Sequence, residues 1–205
     1  TGNSAFSGGG ASSSDGATPA GTLNVKSTII AGNTATTGPD VSGTLTSQGF
    51  NLIGDNSGAT ITPTLSTDQI GTSGSPLNPM LGALTNNGGP TQTHALLSGS
   101  PALDKGSNNP AALTNDQRGA GFARTVDMPV VPDATGGDGT DVGAFEYVPP
   151  PSADLTLVKS DGGASFTLDA TGSYSILVSN AAGAVATTGA ITVTDTLPGN
   201  LSLAS

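Results

Sequence analysis

Three polar side chains in the last quarter of the chain have types that could form a covalent crosslink. They are Lys159, Asn180 and Asp195, and strand parity places each on the apolar face of its segment, so the three would converge if those faces point inward. Burial favours the neutral amine of lysine, which is the nucleophile, and a neighbouring carboxyl group can shuttle protons. The pattern raises the hypothesis of an isopeptide bond. In a simpler interpretation, Lys159 reaches solvent, Asn180 opens a turn and Asp195 caps a corner.

An acidic, glycine-rich loop before residue 142 could bind a hard cation. Asp133, Asp138 and Asp141 supply carboxylates, and the glycines between them let the chain fold around an ion such as Ca²⁺. The ligand order matches no EF-hand, and no bidentate glutamate is placed to close such a loop. A solvated acidic turn is the alternative. Ca²⁺ is the one cofactor that the sequence suggests, since nothing in it points to a nucleotide, flavin, haem or zinc.

Polysaccharide cleavage is the third chemistry to consider. Lyases use an Arg or Lys base, and inverting hydrolases use two carboxylates spaced to admit a water molecule. The only arginines are Arg118 and Arg124, and Asp138 with Asp141 is the nearest approach to a carboxylate pair. For Arg118 we expect a salt bridge or a hydrogen bond to backbone instead. The single histidine, His94, has no G-x-S-x-G motif beside it, and its apolar neighbours favour a structural role in a strand.

The composition favours an all-β fold with many turns. Charged residues make up 10% of the chain, against about 25% in typical soluble domains, and 31 of the 205 residues are glycine. Helix-favouring Glu, Lys and Arg are scarce, and the apolar residues are mostly Val, Ile and Leu in short runs. Aromatic residues make up 3% and Trp is absent, which favours a thin, stacked core over a thick sandwich core.

The charge of the chain restricts its partners. The net charge is −10 at pH 7 and the five cationic residues are dispersed, whereas binding of nucleic-acid phosphate requires clustered Lys or Arg. Cysteine is absent, so neither disulfides nor thiolate metal sites contribute. No stretch approaches the ~20 apolar residues of a membrane span. Because the sequence begins at Thr1, with neither a Met nor a signal peptide, we expect a fragment of a larger exported protein.

A sequence repeat near the N-terminus indicates stacked coils. The tetrapeptide at residues 2–5, Gly-Asn-Ser-Ala, recurs at residues 32–35 as Gly-Asn-Thr-Ala. In repetitive β folds each coil supplies the strand pairing that its neighbour lacks, and Asn at a fixed corner can form a ladder of amide hydrogen bonds. We expect a loop at residues 8–21, strands at 23–30, 43–47 and 50–53, and irregular coil at 59–79.

Residues 84–146 carry three specific segments, LTNNGGPTQTHALLSGSPALDKGS, NDQRGAGFAR and GDGTDVGAFE. In this order they resemble the terminal region of choice-of-anchor Q bacterial surface proteins, and residues 27–58 resemble late coils of the same group. The resemblance implies that residues 1–148 are the last coils of a right-handed parallel β-helix with a terminal cover over its open end. The pieces at 94–97, 101–104 and 142–145 would then form a final, distorted rung.

A proline run at residues 149–152 predicts a linker to a second domain at 153–205. That domain alternates polar and apolar residues between glycine-rich turns, which is typical of an immunoglobulin-like β-sandwich. Its Lys159-Ser160, its Tyr-x-Ile-x-Val-x-Asn at 174–180 and its Val-x-Asp-x-Leu-Pro at 193–198 resemble a domain of unknown function that recurs in tandem in bacterial cell-surface proteins. About half of such a domain is present, so we expect a partial copy.

Both resemblances imply a non-catalytic structural or adhesive segment of a large exported bacterial cell-surface protein. Its partners would be extracellular glycans or a host or neighbouring cell surface. The β-helix is also the fold of pectate lyases, so the alternative is a polysaccharide-degrading or polysaccharide-binding protein whose cleft lies on upstream coils. An enzyme requires a localised acid/base cluster, whereas a stalk or adhesin requires only repetition and anchorage.

Overall fold

The computed structural model describes residues 1–13, 21–150, 153–163, 165, 167, 170–182 and 184–196. This part of the chain is all-β, with thirteen strands and no helix, as the composition predicts. The chain divides into two units, Thr1–Pro149 and Pro150–Ser205. No helix among the described residues has the length and apolar character needed to cross a membrane.

Nine short strands of the first unit pair in parallel. They are β1 Ser4–Ser7, β2 Ala11–Ser12, β3 Leu23–Val25, β4 Ile29–Ile30, β5 Thr34–Thr37, β6 Val41–Ser47, β7 Leu52–Ile53, β8 Ala59–Thr62 and β9 Gln69–Ile70. β1 pairs with β5 and β2 with β6, while β6 lies between β3 and β8, and β7 lies between β4 and β9. Each strand therefore pairs with a strand from a different pass of the chain rather than with its sequence neighbour.

The thirty-residue repeat predicted from the sequence is confirmed by the pairing register. Ala5 of β1 faces Ala35 of β5. Asn3 Nδ2 donates to Asn33 Oδ1 at 3.0 Å across the thirty-residue separation, which is the amide hydrogen bond expected of a corner ladder. Gly32 has a φ of 68°, a left-handed conformation that glycine adopts without a steric penalty.

The apolar core of the first unit has two clusters. One contains Val25, Ile30, Val41, Leu45 and Ile53, all from the parallel strands or their ends. The other contains Ala31, Leu52, Leu96, Ala102, Leu103, Met128 and Val142. Because the second cluster combines residues of the parallel strands with residues after position 90, it packs the predicted cover against the stacked strands.

Three predictions about the strands are corrected. Residues 23–30 form two strands, since Ser27 has a φ of 46° and turns the chain between β3 and β4. Residues 59–79 contain β8 and β9. The local sequence is Thr-rich and has no clear strand pattern, but hydrogen bonds to β6 and β7 hold both segments as strands. Within the predicted loop at 8–21, residues 11–12 form β2, and residues 14–20 lie outside the described part of the chain.

The segments after position 80 do not form the predicted rung. β10 Leu81–Thr85 pairs antiparallel with β11 Thr93–Leu96. Residues 101–104 and 142–145, all of them described, contain no strand. They are fixed by single hydrogen bonds, as when Val142 N donates to Ala102 O and Gly143 N donates to Ser27 O, each at 2.9 Å. The chain here forms turns and bends, and hydrogen bonds between separate segments hold it in place.

The described residues of the second unit contain one sheet, in which β12 Leu155–Ser160 pairs antiparallel with β13 Ser175–Asn180. Most side chains of both strands are exposed. A single antiparallel pair rarely holds itself together in water, so further strands are needed. The immunoglobulin-like sandwich stays a prediction, because residues 151–152, 164, 166, 168–169, 183 and 197–205, which include the end of the Val-x-Asp-x-Leu-Pro motif, lie outside the described residues.

Candidate functional site

Five charged residues are buried together in the cover, and none is more than 8% exposed. They are Asp116, Arg118, Arg124, Asp141 and Glu146. All five lie in the two segments NDQRGAGFAR, residues 115–124, and GDGTDVGAFE, residues 137–146. An ionised group taken out of water costs several kcal/mol unless it is paired and hydrogen-bonded. Their partners therefore decide whether the cover is stable.

Arg118 is held by a carboxylate and by two aromatic rings. Its Nε and Nη2 donate to Asp116 Oδ2 at 2.9 and 2.7 Å, and Nη2 also donates to Glu146 O at 2.7 Å. The guanidinium lies 4.2 Å from the ring centroid of Phe122 and 3.8 Å from that of Phe145. Such a site suits arginine, whose planar group donates as a fork and stacks on aromatic faces. The predicted salt bridge and the predicted backbone hydrogen bond of Arg118 are both confirmed.

Glu146, the one glutamate in the chain, joins three segments of the cover. Its Oε1 accepts from Val126 N at 2.7 Å. Its Oε2 accepts from Arg124 Nη1 at 3.2 Å and from Asp141 N at 3.1 Å. Arg124 Nη2 also donates to Asp141 O at 3.1 Å. Arg124 thus pairs with the Glu146 carboxylate, while the buried Asp141 carboxylate accepts from two backbone N–H groups, so this part of the cover is short of positive charge.

The three residues predicted as cation ligands do not form one site. Asp141 is buried, and each of its two carboxylate oxygens accepts from a backbone N–H group. Asp138 is exposed and accepts from Asn108 N at 2.9 Å. Asp133 belongs to a different group of carboxylates, which includes Asp104. The Asp141 side chain points into the cover, where it accepts hydrogen bonds from backbone N–H groups, and it is therefore separated from the other two.

Of the three predicted crosslink residues, the structure brings two together. Lys159 Nζ lies 2.8 Å from both carboxylate oxygens of Asp195, and about a third of each side chain is exposed, 34% and 36%. Asn180 lies at the other end of the β12–β13 pair, where it faces Leu155, and its amide donates to Val185 O at 2.6 Å. The amine lacks the burial on which the crosslink hypothesis depends. Asn180 lies where the simpler interpretation placed it, at the start of a turn, whereas Lys159 pairs with Asp195, which that interpretation did not predict.

His94 lies in β11 and lines a cleft of about 420 Å³ between β4, the β10–β11 pair and residues 142–145. Its Nδ1 is 2.7 Å from Gly82 O, and its Nε2 is 3.3 Å from Thr1 Oγ1. The described residues that line this cleft include no carboxylate. A Ser-His-Asp triad is therefore not assembled around His94, and its hydrogen bond to the Gly82 carbonyl suits a structural role.

One group of side chains was not predicted from the sequence. Asp104, Asp127 and Asp133 place carboxylate oxygens within 4.8 Å of one another. Asp104 follows the apolar stretch Pro-Ala-Leu, and the other two are six positions apart in a proline-rich segment without a ligand-spacing motif. The one available signal was an aspartate within a segment expected to be packed, since a buried acid requires a partner.

No family model, no curated protein and no solved structure matches this chain. The resemblance to choice-of-anchor Q proteins and to the tandem surface domain stays a prediction. Any function assigned to the chain consequently depends on the contacts of its own residues.

Glu146 should make the stability of the first unit depend on pH. Burial, and then the neighbouring Asp141 charge, raises the pKa of Glu146 to about 8, against two backbone hydrogen bonds and Arg124. In the unfolded chain the same group releases its proton near 4.5. Between these values the folded state binds more protons, so the free energy of unfolding falls as pH rises from about 4.5 through about 8. We expect the urea midpoint of the first unit to decrease across this window.

The matched comparison is Glu146→Gln, which does not titrate. Its midpoint should depend clearly less on pH over the same window, because the amide side chain binds no proton. A wild-type midpoint that rises with pH across the window, or equal slopes in the two proteins, would contradict the assignment.

Proposed function

We propose that residues 1–148 form the last coils and the cover of a right-handed parallel β-helix, and that the chain is a structural or adhesive segment of an exported bacterial surface protein. The observation that carries the proposal is the parallel stacking of β3, β6 and β8 and of β4, β7 and β9. Strands from different passes of the chain pair along one direction, which is how a solenoid extends by repetition. The chain would then act mechanically, as part of a stalk.

The contacts of β9 support the role of the following segment as a cover. β9 is the outermost strand of its sheet, and an open edge of this kind recruits other chains. Gln69 Nε2 donates to Pro101 O at 2.8 Å, and Leu77 N donates to Gly54 O at 2.9 Å, so later chain lies against the end of the stack. Leu96 and Leu103 complete the apolar cluster around Leu52. A cover of this kind closes the exposed strand edge of the last coil and so prevents it from pairing with another molecule.

The burial of the candidate residues favours a structural role over cleavage of polysaccharide. A catalytic base or carboxylate must reach the sugar. Arg118, Arg124 and Asp141 are buried and bonded within the cover, so they reach a substrate only if the cover opens. Asp138 is exposed, but Asp141, with which it was predicted to form a carboxylate pair, is buried in the cover. The enzymatic alternative would need a cleft on coils upstream of these residues.

An adhesive role is consistent with the surface of the parallel strands. β5 exposes the hydroxyl groups of Thr34, Thr36 and Thr37 along one extended strand. Dispersed negative charge on such a surface keeps a protein soluble outside the cell and disfavours anionic partners. The proposed partners are neutral extracellular glycans or a neighbouring cell surface, and the proposed location is the bacterial cell surface.

The test is an assay of turnover and binding on the intact chain. The protein is incubated with acidic and neutral polysaccharides, with and without Ca²⁺, and new reducing ends and unsaturated products are measured. Co-sedimentation with the insoluble members of the same panel reports binding. We expect no product, and heat-unfolded protein sets the background. Product formation above the background of heat-unfolded protein would overturn the structural proposal in favour of the enzymatic alternative.

A further inference from the structure

We infer that Asp104, Asp127 and Asp133 form a Ca²⁺ site at the surface of the cover. Their carboxylate oxygens all lie within 4.8 Å of one another. Ca²⁺ binds oxygen ligands at about 2.3–2.6 Å, so two oxygens on opposite sides of one ion lie about 4.6–5.2 Å apart. A set made only of carboxylates suits a hard cation rather than zinc, which favours nitrogen and sulfur ligands.

A buried carboxylate oxygen without a partner supports the site independently of the cluster. Asp104 is 0% exposed, and its Oδ2 accepts from Met128 N at 3.1 Å. Its Oδ1 is buried and has no hydrogen-bond partner among the described residues. In the same cover, both carboxylate oxygens of Asp116, Asp141 and Glu146 have hydrogen-bond partners. A buried anionic oxygen left unpaired is costly, and a cation in contact with it removes that cost.

The fold holds the three ligands in place before an ion binds. Asp104 has a φ of 52°, in the left-handed region that aspartate tolerates better than most residues with a side chain. Its N–H donates to Asp141 Oδ1 at 2.8 Å, and its carbonyl accepts from Ala134 N at 3.0 Å. Asp127 packs closely on Gly139, where a Cβ would lie 2.6 Å from the Asp127 Cβ. Separate segments of the cover therefore meet at the site.

The charges around Asp104 favour a divalent cation. Burial, and then repulsion from Asp127 and Asp133, raises the pKa of Asp104. Lys105 offsets this only in part, and its ammonium group also donates to Pro132 O. Two positive charges placed among three carboxylates relieve their mutual repulsion and link the segments that carry them. Because Asp127 and Asp133 are exposed, the ion would reach the site from solvent without opening the cover.

Calorimetric titration of the intact, chelator-treated chain with CaCl2 tests the site. We expect one site in the first unit with a Kd on the order of 10⁻⁴–10⁻³ M, the range of extracellular Ca²⁺ modules. The melting temperature should rise in CaCl2 relative to NaCl of equal ionic strength, and MgCl2 should bind more weakly because it demands a tighter octahedral shell. No heat and no stabilisation up to about 10 mM Ca²⁺ would overturn the inference.

Three substitutions of aspartate separate the site from general attraction to an acidic protein. Asp127→Asn and Asp133→Asn change exposed side chains, so both variants should fold, and each should weaken Ca²⁺ binding by at least about tenfold. Asp138→Asn is the matched control, since it removes a nearby exposed carboxylate outside the cluster, and its affinity should be unchanged. Equal effects of all three substitutions, or no effect of Asp127→Asn and Asp133→Asn, would overturn the site whatever the polysaccharide assay shows.

Discussion

Arg118→Ala is expected to lower the unfolding free energy of the first unit by about 3–5 kcal/mol. The substitution leaves the carboxylate of Asp116 buried without its cation and removes a donor to the Glu146 carbonyl. It also opens a gap between the rings of Phe122 and Phe145. Urea unfolding measured by circular dichroism gives the free energy directly.

Two further variants make the Arg118 result specific. Arg118→Lys keeps the charge but loses the fork-like hydrogen bonds and the stacking, so it should fall between the wild type and Arg118→Ala. Gln117→Ala changes the adjacent exposed side chain and should stay within about 0.5 kcal/mol of the wild type. A loss below about 1 kcal/mol for Arg118→Ala would mean that the cover tolerates an unpaired Asp116.

Leu52→Ala is expected to destabilise the first unit by about 2–5 kcal/mol. Leu52 lies in β7, the central strand of its sheet, is 0% exposed, and packs in the cluster that joins the stack to the cover. Truncation leaves a cavity where neither the strand nor the cover can collapse freely, since each is held by its own hydrogen bonds. The same urea experiment measures the effect.

The control for Leu52→Ala is Leu84→Ala in β10. Leu84 is 55% exposed, so its truncation removes little buried surface and should cost less than about 1 kcal/mol. Similar losses for the two variants would indicate that the Leu52 cluster does not join the stack to the cover.

Local patterns in the sequence predicted the stacked part of the fold well where residue types repeat. The tetrapeptides at 2–5 and 32–35 predicted the register that Ala5 and Ala35 confirm. β8 and β9 were missed because their Thr-rich and Gln-containing strands have weak periodicity, and pairing with β6 and β7 overrides it. The resemblance predicted a cover, but it did not predict the antiparallel pairing of β10 with β11 within that segment.

The candidate site was predicted in part. The kinds of contact that Arg118 makes, a salt bridge and a backbone hydrogen bond, were predicted, but its partners Asp116 and Glu146 were not. Parity placed Lys159 and Asn180 on a common face, but it carries no information on position along the strands, and the antiparallel register sets them at opposite ends. The cluster around Asp104 joins segments distant in sequence, so no local spacing could reveal it.

The charged interior of the cover also determines what an opened end of the stack would present to its surroundings. When the segment holding Arg118 and Asp116 separates from the chain around Glu146, it exposes an ion pair that water solvates readily, together with the rings of Phe122 and Phe145. Charged groups among the exposed apolar ones make contact between two opened molecules less favourable than contact between wholly apolar ends. The ionic part of the cover thus disfavours end-to-end association of the stack even where the cover has opened.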